Sequence, residues 1–315
     1  MSKSPAPSLA QPQTVRQIGI IGTGRVAQTL GLGLNRYADT LPLMWGRNAD
    51  KLTAACQRVP CTPVADLEEL ARHCDVIAIA VSDDAVEAIV GDLANAMNSH
   101  GQPLIFHTSG SKGVAVLAPV AGAGARTAAI HPMMTFTGHP TREVLQMAGA
   151  TFAITCEDDQ VRDTAYDVVT ALGGRVVDIA EEQRALYHAA LCHAANHLVT
   201  LVSGAAQALV AAGLADPGAA MAPLVRAALD NALDRGMDAL SGPLLRGDAQ
   251  TIAGHLRAIK DGCPHVLDAY RAMACATLDA LDARTDPLPR ANIRAVLDAV
   301  DPATVSPESA HHPRR

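Results

Sequence analysis

The feature that most constrains this chain is the stretch Arg16 to Arg47, RQIGIIGTGRVAQTLGLGLNRYADTLPLMWGR. An apolar run, Ile18 to Ile21, ends in Gly22-Thr23-Gly24-Arg25-Val26-Ala27. Val26, Leu30 and Leu34 then fall on one side of a 3.6-residue period, which predicts a helix. A second short apolar run, Leu41 to Trp45, closes on Gly46-Arg47. Strand, glycine turn, helix, strand is the opening of a sheet joined by crossover helices.

The turn has a chemical reading. Gly22 permits the tight bend, Gly24 has no side chain to keep a pyrophosphate from the backbone, and Ala27 lets the helix pack close to the strand. The free N–H groups at the helix start would then face the diphosphate. Gly22, Thr23, Gly24, Arg25 and Val26 are thus the first candidates for holding a dinucleotide. The plainer alternative is a tight strand–helix turn with no ligand. The end of the second strand selects between cofactors. A site for NAD(H) usually places a carboxylate there for the ribose 2′-OH. This chain places Gly46, Arg47 and Asn48, with Lys51 one turn on. Nothing there repels a 2′-phosphate and Arg47 can fork onto it, so the expected cofactor is NADP(H). Otherwise Arg47 is a solvated residue at a strand end.

At 315 residues and 49% hydrophobic content, the chain has room for two domains and a buried core. A net charge of −7 argues against a nucleic-acid or anionic-membrane partner, and 3% aromatics argues against base-stacking platforms. The seven cysteines form no CxxC pair, which suits a reducing, cytoplasmic setting without disulfides or a zinc knuckle. Residues 1–14 lack the apolar centre of a signal peptide and, like 301–315, are expected to be disordered tails. The apolar runs are short or punctuated, so no membrane span is expected.

Along the chain the alternation continues. Asn48 to Arg58 reads as a helix with Asn48 as cap, Thr62 to Ala65 as a short strand, and Asp66 to Cys74 as a capped helix. Asp75 to Ser82 reads as a buried strand, followed by a helix capped by Asp83-Asp84 and running to Asn98. Pro103 to His107 and Arg126 to His131 are further strands. This is a parallel sheet wound on both sides, with ligands expected at the carboxyl ends of the strands. Polar residues gather there beside Val81: Ser82, Asp83, His107, Ser109, Ser111 and His131. Val81 and Ser82 join the expected cofactor site, and so does Ser109. Ala150 to Cys156 and Arg175 to Ile179, with a helix between them, extend the pattern. From Glu181 the strands stop. Helices are expected over Glu181 to Ala212, Asp216 to Leu240, Asp248 to Lys260, Pro264 to Asp282 and Arg290 to Val300. Their apolar faces need burial, and a homodimer through this part would provide it.

Several separated motifs carry a resemblance: IGIIGTGRVAQTL at 18–30, FHTSGSKG at 106–113, AIHPMMTF at 129–136, RALYHAALCHAANHL at 184–198 and SGPLLRGD at 241–248. In this order they resemble Rossmann-like proteins with a C-terminal helical domain of unknown function, labelled NADP oxidoreductases. These are similar to ketopantoate, pyrroline-5-carboxylate and 6-phosphogluconate-type reductases and dehydrogenases. The middle motifs also look like prephenate dehydrogenase, whose His takes part in proton transfer. The matching positions here are Ser109 or Ser111 with Lys112, and His131. The 6-phosphogluconate-type enzymes place a catalytic Lys four residues before a helix Asn. Here the Asn is Asn196 and the residue four before it is Cys192. His188 lies two turns before Asn196, about 80° round the helix, and could supply the proton instead.

His131 follows a strand at the binding edge, and an ordinary imidazole titrates near neutrality. It is the leading candidate for proton transfer, with Ser109, His188 and Asn196 as groups that orient a polarised C=O or C=N. Each has a plain alternative in loop or helix hydrogen bonding. His193 and His197 have chelating spacing without an accompanying Glu, so no metal is expected. Arg246 could meet a substrate carboxylate, and Asp248 reads as a helix cap.

The expected fold class is α/β: a doubly wound, mostly parallel Rossmann-type sheet over 15–180, then a smaller all-helical domain over 181–300 that serves substrate and dimer. The expected function is NADP(H)-dependent hydride transfer to or from a small carbonyl, imine or hydroxy acid held between the domains. The alternative is an NADP(H)-binding redox sensor or scaffold without turnover.

Overall fold

The computed structural model describes residues 17–97, 101–284 and 290–299. The tails expected at 1–14 and 301–315, and the helix ends expected at Asn98 and Val300, lie outside the described residues. The chain divides into two compact units, Met1–His193 and Ala194–Arg315.

The first unit is a single eight-stranded sheet with helices on both faces. Its elements are β1 Ile18–Ile21, α1 Arg25–Leu34, β2 Leu43–Trp45, α2 Ala49–Arg58, β3 Thr62–Pro63, α3 Leu67–His73, β4 Val76–Ile79 and α4 Asp83–Ala96. Then come β5 Leu104–His107, α5 Ala118–Gly122, β6 Arg126–Pro132, α6 Pro140–Met147, β7 Thr151–Thr155, α7 Asp159–Ala171 and β8 Arg175–Asp178. The strand order is β3-β2-β1-β4-β5-β6-β7-β8. All neighbours are parallel except β6 and β7, where Ile130 faces Ile154 in antiparallel register.

The apolar runs reflect burial on both faces. In β1, Ile18 and Ile20 point into one apolar layer with Leu30 and Leu34 of α1, while Ile21 points into the other with Ile89 and Leu93 of α4. The first layer takes α1, α2, α6 and α7, and the second takes α3, α4 and α5. Each fully buried Ile or Leu contributes about 1.5–3 kcal/mol.

Most element boundaries follow the sequence pattern. Asn48 caps α2 by accepting from Lys51 N–H at 2.8 Å, and Asp66 caps α3 through Glu69 N–H at 2.9 Å. Two expectations change. β2 begins only at Leu43, because Pro42 precedes it and Leu41 stays exposed. α4 is not capped by Asp83 or Asp84: Ser82 occupies the cap position with no side-chain bond, and Asp83 accepts from the Ser111 hydroxyl at 2.9 Å. The helices α5 and α6 carry no clear period in sequence, being only five and eight residues long.

The second unit is helical: the rest of α8 Arg184–Ala211, then α9 Pro217–Arg235, α10 Pro243–Arg246, α11 Ala249–Gly262, α12 Leu267–Asp282 and α13 Ala291–Asp298. Ile252, Leu256, Ala274, Leu278, Ile293 and Leu297 form its core. α9 stops at Gly236, which takes φ +57, rather than running on to Leu240. α9 buries no residue, and Leu224 and Leu233 on it are 72% and 77% exposed.

By length and composition alone, Glu181–Ala211 could cross a membrane, contrary to the expectation that every apolar run is too punctuated. Arg184 binds its first turn to the sheet unit, however. The units part between His193 and Ala194, inside α8, rather than at 180/181, because Arg184, Tyr187 and His188 are tied to the strand-end loops.

Candidate functional site

A cleft of about 490 Å³ opens at the carboxyl ends of β1, β2 and β4. It gathers the sequence candidates Gly22, Thr23, Gly24, Arg25, Val26, Arg47, Asn48, Val81 and Ser82, together with Trp45, Lys51 and Phe136. Arg25, Arg47 and Lys51 line it, and among the described residues no Asp or Glu does.

The two turn glycines are required for different reasons. Gly22 has φ +123, and a Cβ on it would run into the Ala80 carbonyl. Its N–H donates to Trp45 O at 2.8 Å, so Gly22 is fixed by the fold itself. Around Gly24, no atom of a described residue beyond its two chain neighbours lies within 4 Å of where a Cβ would stand. The protein therefore gives no packing reason for that glycine, and the open space adjoins the cleft. Ala27 is fully buried and lets α1 approach β1. Of the three helices that start at the cleft, α1 and α4 have no side-chain cap, whereas α2 is capped by Asn48, as α3 and α7 elsewhere are by Asp66 and Asp158. The free N–H groups at the cleft are suited to an anion. Asn48 lines the cleft, but its side-chain oxygen already serves the α2 cap.

A second polar centre lies at the ends of β5 and β6. Its pivot is Arg184, 1% exposed. Arg184 Nη2 donates to Ser109 O at 2.6 Å, and Nε donates to Lys112 O at 3.1 Å. Nη1 donates to Ala153 O and Thr155 Oγ1, both at 3.4 Å. The guanidinium sits 5.6 Å from the Tyr187 ring centre. His107 is fully buried. Its Nδ1 accepts from Ser109 N–H at 3.2 Å, which leaves Nε2 to donate to Gly113 O at 2.8 Å.

His131 Nδ1 lies 2.6 Å from Tyr187 Oη. The His188 ring packs edge-on against His131 with centres 5.9 Å apart. Gly110 makes room for both rings: a Cβ there would stand 2.9 Å from His131 Nε2 and closer still to His188 Cδ2. Burial, reinforced by the Arg184 charge, pushes the His131 pKa down to about 4. The sequence expectation of an imidazole titrating near neutrality therefore changes: this ring is neutral at pH 7. Burial pushes the Tyr187 hydroxyl up to about 12, so it stays protonated.

The other candidates are placed differently. Ser109 is 6% exposed, and its hydroxyl accepts from Lys112 N–H at 3.1 Å and pairs with Ser111 Oγ at 3.3 Å, so it is occupied within its own loop and does not line the cleft. Lys112 pairs with Glu87 at 2.9 Å. His188 Nε2 faces Cys192 Sγ at 3.7 Å. Asn196 belongs to the second unit and is exposed. Asp248 caps α11 through Thr251 N–H at 3.1 Å, and Arg246 is exposed. Among the described residues no three His, Cys, Asp or Glu side chains converge on a metal position.

Sequence reasoning passed over Arg184 and Tyr187, though both stand in RALYHAAL. An Arg and a Tyr opening an apolar helix were the available signal.

Residues 1–132 match the Rossmann-like domain family, and residues 150–277 match a domain of unknown function, DUF2520. No curated protein matches the chain. Among solved structures the chain is similar to BF3122 of Bacteroides fragilis, named provisionally as an NADP oxidoreductase, at 23% identity and TM-score 0.71, covering 84% of this chain and 98% of that one. It is similar to protein TM1727 of Thermotoga maritima at 18% identity and TM-score 0.62, covering 84% and 98%. It is also similar to the imine reductase of Myxococcus stipitatus in complex with NADP+, at 15% identity and TM-score 0.64, covering 85% and 95%. At these identities the likeness is one of fold. The two family matches together span most of the chain, a Rossmann-like domain followed by a DUF2520 domain.

Proposed function

We propose that the protein is an NADP(H)-dependent oxidoreductase acting on a small carbonyl, imine or hydroxy acid. The observation that carries this reading is the cleft lined by three basic side chains and no acidic one, beside a Gly24 whose missing Cβ faces open space. Structural neighbours that hold NADP, such as the imine reductase of Myxococcus stipitatus and the pyrroline carboxylate reductase of Plasmodium falciparum, support it.

The glycine-turn N–H groups and Arg25 would hold the diphosphate, and Arg47 with Lys51 the 2′-phosphate. A bound nicotinamide supplies or takes the hydride. The chain's own task is placement and proton handling. Tyr187 and His131 are the groups for the second: their Oη and Nδ1 share one proton across 2.6 Å. A tyrosine hydroxyl held protonated beside a neutral imidazole can stabilise a developing alkoxide or amine. Arg184 fixes the 109–112 backbone next to this pair without spending its charge on a carboxylate. His188 flanks His131 and would orient substrate with it.

We also propose that the second unit pairs with a second copy of the chain. The exposed leucines of α9 support this, and equilibrium sedimentation tests it.

The test of the functional reading is a fluorescence titration with NADPH and NADH side by side. Tight NADPH and weak NADH binding is expected. Equal affinity for the two removes the 2′-phosphate argument, and binding of neither overturns the cofactor reading. NADPH oxidation screened with 2-oxo acids and cyclic imines then separates an enzyme from a redox sensor, which binds without turnover.

A further inference from the structure

Glu143, in α6, is a buried charge that the reading above leaves unused. It is 1% exposed, and among the described residues no Lys, Arg or His forms an ion pair with it. Its carboxylate accepts instead from the Thr29 hydroxyl at 2.6 Å and from the backbone N–H groups of Thr137, Gly138 and His139 at 2.5, 2.8 and 3.2 Å. Burial alone would push its pKa up, but these bonds outweigh it and hold the group at about 2.

A helix cap explains part of this arrangement, since Glu143 reaches back to the N–H of His139 at the start of α6. It does not explain Thr29, which sits on α1, the helix that begins at the glycine turn. Nor does it explain what the clasped backbone carries. Phe136, one residue before it, lines the cleft. The Phe136 carbonyl accepts from Arg25 Nη1 at 3.2 Å, and the Gly138 carbonyl accepts from Arg58 Nη2 at 2.7 Å. Gly138 has φ +93, and the Arg25 side chain passes 3.6–3.8 Å from where its Cβ would stand. Arg25 is thus anchored by one nitrogen. Among the described residues its other N–H groups have no protein acceptor, at the mouth of a cleft suited to an anion.

We infer that Glu143 is a positioning residue for the dinucleotide site: by clasping residues 137–139 to α1 it holds Phe136 and, through the Phe136 carbonyl, the Arg25 guanidinium in place for a diphosphate. This inference rests on the cofactor reading of the cleft. The physical gain is preorganisation. An arginine and a loop ordered by the fold lose no further freedom when the ligand arrives.

The experiment measures NADPH dissociation constants and thermal midpoints of the full chain carrying Thr29→Val, Thr29→Ser, Glu143→Gln, Arg25→Met, and the Arg25→Met/Thr29→Val pair. Thr29→Val and Glu143→Gln should weaken NADPH binding by about ten-fold, and Thr29→Ser, which keeps the hydroxyl, should bind like the parent. In the Arg25→Met background Thr29→Val should add less than it does alone, because both act through one guanidinium. A lower thermal midpoint with unchanged NADPH affinity in Thr29→Val overturns the inference and leaves Glu143 a structural cap. If Glu143→Gln does not fold, the Thr29 pair decides. A parent protein that binds neither NADPH nor NADH overturns the cofactor reading itself, a different result from a parent that binds and variants that bind equally well.

Discussion

The two polar centres of the sheet unit are built in opposite ways. At the cleft beside β1 and β2, polar groups are left open: α1 and α4 start without side-chain caps, and Gly24 borders empty space. At the ends of β5 and β6 the groups are satisfied: Arg184 spends its nitrogens on four acceptors and His107 both of its own. Open backbone donors at a concave surface suit a ligand, because they have no other partner there. A closed network spends its hydrogen bonds on geometry and leaves partly exposed groups at its rim, the His131–Tyr187 pair among them. Substitutions at the closed centre should therefore cost stability first, and substitutions at the open one should cost binding with stability intact.

The largest effect is expected at the closed centre. Arg184→Met leaves the Ser109 and Lys112 carbonyls without their donor and should destabilise the chain by about 3 kcal/mol or more, read from the urea midpoint. A loss under about 1 kcal/mol would show that the network is not closed.

Next is the glycine pair. A Cβ at Gly24 would stand in open space, so Gly24→Val should raise the NADPH dissociation constant about a hundred-fold, or roughly 2.7 kcal/mol, at an unchanged thermal midpoint. Gly22→Ala should instead lower the midpoint by the equivalent of about 1–3 kcal/mol, because its backbone is at φ +123 against Ala80. Identical behaviour of the two would erase the distinction between them.

A smaller effect is expected from Arg47→Ala. It should weaken NADPH about ten-fold and leave NADH unchanged, which a paired titration reads directly.

The last effect is one of pH. His107 and His131 ordinarily titrate at 6.5, and burial lowers each to about 4 in the fold. The unfolded chain therefore takes up protons between pH 6.5 and 4 that the folded chain does not. The stability contributed by the neutral rings is complete above 6.5 and is lost as pH falls toward 4. Side-chain NMR at pH 6 should show both rings neutral, and a protonated His131 at that pH would contradict the closed, desolvated centre.

Much of this comparison was legible in the sequence at one centre and little at the other. The glycine turn, the helix after it and the absence of an acid after β2 lie within one stretch of chain, and every cofactor candidate from Gly22 to Ser82 lines the cleft. Ser109 was the exception. Its place in a strand-end loop was readable, but the direction of its hydroxyl depends on Lys112 and Ser111. The proton-handling pair was half legible. His131 stood out for following a strand, while Tyr187 lay unremarked beside His188.

The sequence by itself determined what is local: the alternation of strands and helices, the caps at Asn48, Asp66 and Asp248, and the turn that opens the cleft. Such features depend on hydrogen bonds and periods spanning a few residues, which the order of side chains encodes directly. Tertiary structure decided the antiparallel turn of β7, the meeting of His131 with Tyr187, and the Thr29–Glu143 contact that joins α1 to α6. It also decided the charge state of His131, because an imidazole's pKa follows from burial and from a neighbouring guanidinium brought in by another element. These contacts form only after the crossovers have placed distant segments side by side, and no local pattern specifies which segments those will be.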